Sequence, residues 1–225
     1  MIIYGSSLSP FVRKVVAFAA EKGVAVENQI VRPGEDNPDF LACSPFRKIP
    51  ALRDGDFLIS DSSAIISYLE ALRPEPNLIP TEPRARARAI WFDEFMDTIL
   101  FDCGRKMFWN RIVAPLTGRQ GDLVAAEKAE REELPPLFDY LESVIPDSGF
   151  LVDDRLTLAD IAVASPFANF HHLGIAVNPA THPRLARYAA AMLARPSYAT
   201  QLERETGFLA RFLPDGPAAV APAAA

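Results

Sequence analysis

Cysteine and histidine are scarce: the 225 residues hold two of the first and three of the second. Cys43 and Cys103 stand far apart with no CxxC between them, a pattern that builds no disulfide framework and fits a reducing compartment. His171, His172 and His182 have no cysteine or carboxylate at ligand spacing, so no metal is expected. Long apolar runs are missing as well. Near the start the longest is Val15 to Ala20, too short to span a bilayer and without the basic stretch ahead of it that a secretory signal carries. No membrane role is expected, and the cytoplasm is the expected location. Basic charge is in deficit, with 23 Lys and Arg against 29 Asp and Glu and a net charge of −6. No global field holds a nucleic-acid backbone, so a nucleic-acid partner is not expected. With 11 glycines and 20 prolines, scattered, the chain is neither fibrous nor disordered throughout. What it has in quantity is hydrophobic side chains, 49% of the total, enough to bury the core of one large domain or two small ones.

The two halves differ in pattern. Met1 to Tyr4 is a β-prone start, and Pro10 to Lys22 puts Val12, Val15, Val16, Ala19 and Ala20 on one helical stripe, with Pro10 in the first turn and Gly23 just past the end. Val26 to Val31 alternates as a strand, and a short helix follows near Pro38 to Ala42. Ala51 to Arg53 and Phe57 to Ile59 flank an Asp54-Gly55 turn as a hairpin. Asp61 or Ser62 then caps a helix carrying Ala64, Ile65, Tyr68, Leu69 and Leu72. The order reads β-α-β-α-β-β-α. From Arg84 onward no strand is expected. Phe92, Phe95, Met96, Ile99 and Cys103 keep a helical period, with Phe101, Arg105 and Phe108 on a second face, and further helices are expected at 122–144, 158–173, 183–193 and 197–212. The proline-rich stretch Pro74 to Pro83 reads as a linker. The expected division is an α/β domain over 1–76, a linker over 77–83, an all-helical domain over 84–212 and a flexible tail over 213–225.

Three segments can carry chemistry. In Gly5-Ser6-Ser7-Leu8-Ser9-Pro10, between the first strand and first helix, free backbone N–H groups and the helix dipole favour an anion, with Ser9 at the N-cap; an ordinary serine cap is the alternative reading. In Arg47-Lys48-Ile49-Pro50-Ala51-Leu52 a proline just before a strand is either an ordinary trans residue or a cis one that turns the backbone of Ile49 outward. In Ser60-Asp61-Ser62-Ser63-Ala64-Ile65 a second helix N-terminus offers a carboxylate and a hydroxyl, or again only a cap.

In their order and spacing these segments resemble the glutathione transferase family. Ser9-Pro10-Phe11-Val12-Arg13 is similar to its active-site turn, Lys48-Ile49-Pro50-Ala51-Leu52 to its cis-proline segment, and Asp61-Ser62-Ser63-Ala64-Ile65 to its γ-glutamyl site. Leu156-Thr157-Leu158-Ala159-Asp160-Ile161 resembles its buried capping box, in which Thr157 and Asp160 satisfy each other's N–H groups and Leu156 staples on Ile161. The resemblance implies a thioredoxin-like N-terminal domain, an all-helical C-terminal domain, glutathione as cosubstrate, a small apolar electrophile and a homodimer. It implies roles too: Ser9 hydrogen-bonded to the glutathione sulfur, with Ser6 or Ser7 as alternates; Ile49 and Pro50 on the cysteinyl part; Asp61 and Ser62 on the γ-glutamyl end; Lys48 on the glycyl carboxylate. The electrophile pocket would draw on Leu8, Phe11, Phe101, Arg105, Phe108 and Trp109. Asp61 stands where many members have glutamate, and Ser9 where some classes have cysteine, which disfavours a protein–glutathione mixed disulfide. A non-catalytic binding or regulatory module, or a glutathione-dependent isomerase, peroxidase or ether-cleaving enzyme, remains as an alternative.

Overall fold

The structure is a computed structural model and describes residues 1–32 and 34–218. Its first part holds β1 (Ile2–Tyr4), α1 (Pro10–Glu21), β2 (Glu27–Gln29), α2 (Pro38–Cys43), β3 (Ala51–Asp54), β4 (Phe57–Ser60) and α3 (Ser62–Leu72). The sheet order is β2-β1-β3-β4, with β1 and β2 parallel and the other neighbours antiparallel. A helix crossover between the parallel strands and a hairpin at the far edge are what the β-α-β-α-β-β-α order requires.

Local chemistry explains most boundaries. Pro10 opens α1, where a missing N–H costs nothing. At the other end Gly23, with φ of 64°, lets its own N–H reach Ala20 and that of Val24 reach Ala19, so the last carbonyls are satisfied before the chain turns. Most ends fall within a residue of expectation, and two differences have a physical cause. β2 is three residues long, not six, because its one neighbour, β1, offers three residues to pair with. The hairpin turn falls on Gly55-Asp56, with Asp54 paired to Phe57, because the first turn position is the one that needs the positive φ of 61° at Gly55.

The second part is helical, as expected: α4 (Pro83–Glu94), α5 (Phe101–Phe108), α6 (Ala114–Leu116), α7 (Leu123–Lys128), α8 (Leu134–Val144), α9 (Leu158–His172), α10 (Pro183–Leu193) and α11 (Pro196–Phe212). Wide π turns at Phe95–Leu100 and Trp109–Val113 join α4, α5 and α6 into one rod, and another at Ala129–Glu133 joins α7 to α8. The last precedes Pro135 and Pro136, which lack the N–H groups that an α turn would use there. The first moves a side chain. Ile99 was expected on the buried stripe but is 42% exposed, and Leu100 takes the inward position, because a π turn uses an extra residue per revolution.

α9 is the axis of the second part, buried at every residue from Leu158 to Phe170. Its capping box is formed: the Asp160 carboxylate accepts the Thr157 N–H at 2.9 Å and the Leu151 N–H at 2.8 Å. Burial pushes Asp160 up to about 6, against those hydrogen bonds. The Pro74–Glu82 stretch carries no regular element but is held at its middle. Glu70 accepts the N–H groups of Leu78 and Ile79, and Leu158 donates to the Leu78 carbonyl. The expected tail at 213–225 lies partly outside the described residues; within them Ala218 donates to the Arg111 carbonyl at 2.9 Å.

α1 lies between the sheet and the helices and is buried nearly all round. One apolar stripe was expected. Val12, Val15 and Ala19 are indeed fully buried, but so are Arg13 and Lys14, while Ala20 is exposed.

Candidate active site

The turn after β1 closes on itself because Gly5, at φ of 135°, has no Cβ: one built there would lie 2.6 Å from Val12 and 3.0 Å from Ile49. Ser9 ends the turn with its N–H on the Ser6 carbonyl and its own carbonyl on the Arg13 N–H. Its hydroxyl makes no capping hydrogen bond, so among the described residues α1 presents an uncommitted hydroxyl and uncapped first-turn amides at its positive end. The Ser6 hydroxyl, by contrast, accepts the Leu8 N–H at 3.3 Å.

The other two segments meet this turn. The Ile49–Pro50 bond is cis, and Ile49 packs against Gly5. The Pro50 carbonyl accepts the Asp61 N–H at 3.3 Å, which ties the strand start to the start of α3. Asp61, at φ of 88°, accepts the N–H groups of Ser63 and Ala64 on a single oxygen, Oδ1, at 3.0 Å each. It is therefore a helix cap whose second oxygen faces away from that task. Ser62 is buried in the first turn of α3, and Lys48 is exposed on the loop ahead of Ile49, its N–H held by the Ser44 hydroxyl.

Two buried ionic clusters hold α1 in place, and neither was among the expected site residues. Lys14 donates to Asp93 at 2.6 Å and Asp97 at 2.7 Å, and the Ser63 hydroxyl donates to Asp93 at 2.7 Å. Burial pushes Asp97 up to about 6 against the attraction of Lys14, with Asp93 adding repulsion. Arg13 forks onto both Glu205 oxygens at 3.1 and 2.8 Å and reaches the Ser165 carbonyl and Asn169, while His172 bonds Glu205 at 2.8 Å. Burial alone would raise Glu205, but Arg13 and His172 hold it below the usual carboxylate range. The sequence carries one sign of this: two charges set inside an apolar helix. Their partners lie up to 192 residues away.

On the side facing the helical part, the Leu8 carbonyl accepts from Asn169 at 3.1 Å, and the rings of Phe11 and Phe101 meet at 4.5 Å. Arg105 is exposed and paired with Asp102, and Trp109 is 42% exposed. Phe108 is a correction. It is 6% exposed and packed in the helical core, because Gly104 brings α5 against Phe170 of α9 and turns that face inward. Cavities of about 550 Å³ beside Glu21, Pro76, Arg155 and Arg195, and of about 330 Å³ beside Arg111, Glu130 and Leu173, are not lined by Ser9, Ile49 or Asp61. Their charged walls are paired internally, so the convergence of three loop segments on one helix N-terminus marks the better site. Among the described residues no helix is long and apolar enough to cross a membrane.

Comparison with known proteins gives the same assignment in both parts. Residues 3–77 match the family model described as glutathione S-transferase, N-terminal domain, and residues 104–196 that of the C-terminal domain. Glutathione S-transferase 3 of Zea mays is 31% identical over 163 residues, covering 70% of this chain and 72% of its own. The stringent starvation protein A homolog of Coxiella burnetii is 26% identical over 203 residues, covering 90% and 91%. The crystal structure of a glutathione S-transferase from Rhodospirillum rubrum superposes with a TM-score of 0.81 at 27% identity, covering 89% of this chain and 90% of that one.

Proposed function

Because the chain belongs to the glutathione S-transferase family, we propose that it is a working enzyme that adds the glutathione thiolate to small apolar electrophiles by substitution or conjugate addition. The observation that carries this reading is the Ser9 hydroxyl, left free of capping at the N-terminus of α1, at the end of a turn whose Gly5 packs against Ile49, which the Pro50 carbonyl links to Asp61. A thiol with a pKa near 8.5 is a few per cent ionised at pH 7, and lowering it by about two units takes roughly 2.7 kcal/mol of thiolate stabilisation. A hydrogen bond to a charged group supplies about 1.5 to 3 kcal/mol and a helix N-terminus about 0.3 to 2, so no general base is needed.

In this reading Ser9 holds the sulfur, the backbone of Ile49 and Pro50 meets the cysteinyl unit, Asp61 and Ser62 receive the γ-glutamyl end and Lys48 the glycyl carboxylate. Leu8, Phe11 and Phe101 face the electrophile, with Arg105 and Trp109 at its outer rim. The enzyme acts in the cytoplasm, in detoxification, as a homodimer joined through the α3 and α4 side, where Phe57, Leu72, Ile90 and Trp91 are exposed. Titrating thiolate absorbance of bound glutathione in wild type and Ser9→Ala tests the central step. A rise of roughly one to two pKa units in the variant is expected, and superimposable titrations overturn the role of Ser9.

Similarity to the stringent starvation protein A homolog favours a second reading, a module that keeps the fold without turnover. Glutathione binding without conjugation, isomerisation, peroxide reduction or ether cleavage, in a protein whose bound thiol is not ionised at neutral pH, would select it.

A further inference from the structure

α9 is buried at every residue from Leu158 to Phe170, and a polar side chain so placed needs a hydrogen-bond partner. Three polar side chains interrupt that apolar run: Asp160, Ser165 and Asn169. Asp160 serves the capping box. Ser165 and Asn169 instead reach out of the helical part to the turn after β1. The Ser165 hydroxyl donates to the Pro10 carbonyl at 2.6 Å, and Asn169 Nδ2 donates to the Leu8 carbonyl at 3.1 Å. Residues four apart stand one above the other on a helix, so one face of α9 grips the chain on both sides of Ser9.

The neighbouring bonds make this grip specific. Arg13 donates to the Ser165 carbonyl and to Asn169 Oδ1. A guanidinium only donates and a carbonyl only accepts, so a single orientation of the Asn169 amide satisfies both Arg13 and Leu8. The charge on Arg13 polarises that amide and strengthens its N–H toward Leu8, while Glu205, with both oxygens on the guanidinium, fixes Arg13 in turn. Ser9 itself gives its N–H to the Ser6 carbonyl and its carbonyl to the Arg13 N–H. The Pro10 ring locks the next φ, so Ser9 is held at φ of −76° and ψ of 124° and keeps only its side-chain rotation.

We propose that Ser165 and Asn169 are positioning residues: by fixing the peptide carbonyls on either side of Ser9 they set where its hydroxyl meets the glutathione sulfur. The proposal rests on the glutathione reading of the Ser9 turn. The polar atoms of both side chains are committed to the backbone of the turn and to Arg13, so they act on the sulfur through Ser9. A hydrogen bond weakens steeply as its angle falls, and a turn free to rock presents the same hydroxyl less often in line with the thiolate.

The test is a double-mutant cycle on the full chain, with the thiolate absorbance of bound glutathione as its first readout and conjugation to phenethyl isothiocyanate as its second. Ser165→Ala and Asn169→Leu each remove one grip with little change of volume. Each should raise the pKa of the bound thiol by roughly half to one unit and slow kcat near neutral pH roughly three- to tenfold, while the KM for glutathione changes less than about twofold. In a Ser9→Ala background the same replacements should leave the titration where Ser9→Ala alone puts it, because no hydroxyl remains to be placed. A purely structural role moves the melting midpoint and not this difference between backgrounds. Equal shifts in both backgrounds, or no shift in either, overturn the proposal and leave the glutathione reading standing. If Asn169→Leu does not fold, Ser165→Ala decides alone. A Ser9→Ala titration superimposable on wild type, or a wild type that binds no glutathione, overturns the reading beneath and the proposal with it.

Discussion

The two sides of the proposed site are held together in different ways. On the glutathione side, three short segments within the first 64 residues meet through contacts of the backbone: Ile49 on Gly5, Asp61 on Pro50, and the Asp61 cap on α3. On the electrophile side, α4 and the π turn after it, α9 and α11 reach α1 through buried side chains, above all Arg13 with Glu205 and Asn169, and Lys14 with Asp93 and Asp97. The first side depends on local conformation, where each turn or cap contributes about 1 kcal/mol. The second depends on desolvated charge, where losing one partner strands the other. The sides should therefore fail differently.

The largest effect is expected on the electrophile side. Glu205→Ala leaves Arg13 buried without its carboxylate and should cost about 3 to 5 kcal/mol in urea unfolding. A loss under about 1 kcal/mol would mean that apolar packing alone docks α11. Ser9→Ala strikes the other side: conjugation near neutral pH should slow roughly ten- to hundredfold, with a deficit that shrinks as pH rises and the thiol ionises unaided. Because the hydroxyl makes no capping bond, the melting midpoint should hold; a stability loss with an unchanged pH–rate profile would make it a cap after all.

Asp97 joins the two sides, since its cluster includes Ser63 of α3. Its carboxyl sits at about 6, above the ordinary 3.8, so between these values the folded protein holds a proton that the unfolded chain has released. Stability from this group is complete below about pH 4 and is lost as pH rises to about 6. Asp97→Asn should flatten that decline by roughly 1 to 2 kcal/mol, after allowing for partial exposure, and parallel denaturation series at pH 4 and pH 7 measure it. The smallest effect is expected at Asp61. Replacement by alanine removes the cap on Ser63 and Ala64, worth about 0.5 to 2 kcal/mol, and should raise the KM for glutathione with less change in kcat. An unchanged KM would leave Asp61 as a cap only.

How far each side can be read from the sequence follows the same division. The helix starts at Pro10, Pro38, Asp61, Pro83 and Pro183 carry proline or an acceptor at the boundary itself, and a reader of the chain can place them. Ile99 was misassigned because its facing depends on a wide turn that no periodicity announces, and Phe108 because Gly104 lets α5 close on Phe170 of α9. Arg13 and Lys14 look like a solvated interruption of an apolar helix until α4, α9 and α11 cover them.

By itself the sequence determined the order of elements, the caps and turns that present Ser9, Ile49 and Asp61, and the family to which the chain belongs. These rest on interactions between residues a few positions apart, which any segment forms wherever it lies. Only the tertiary structure decided which charges are buried and which aromatic rings face the core. Those outcomes depend on pairings across 79 to 192 residues. Such a pairing has no energy until two surfaces exclude water together, and Arg13 meets Glu205 only once α1 and α11 have docked.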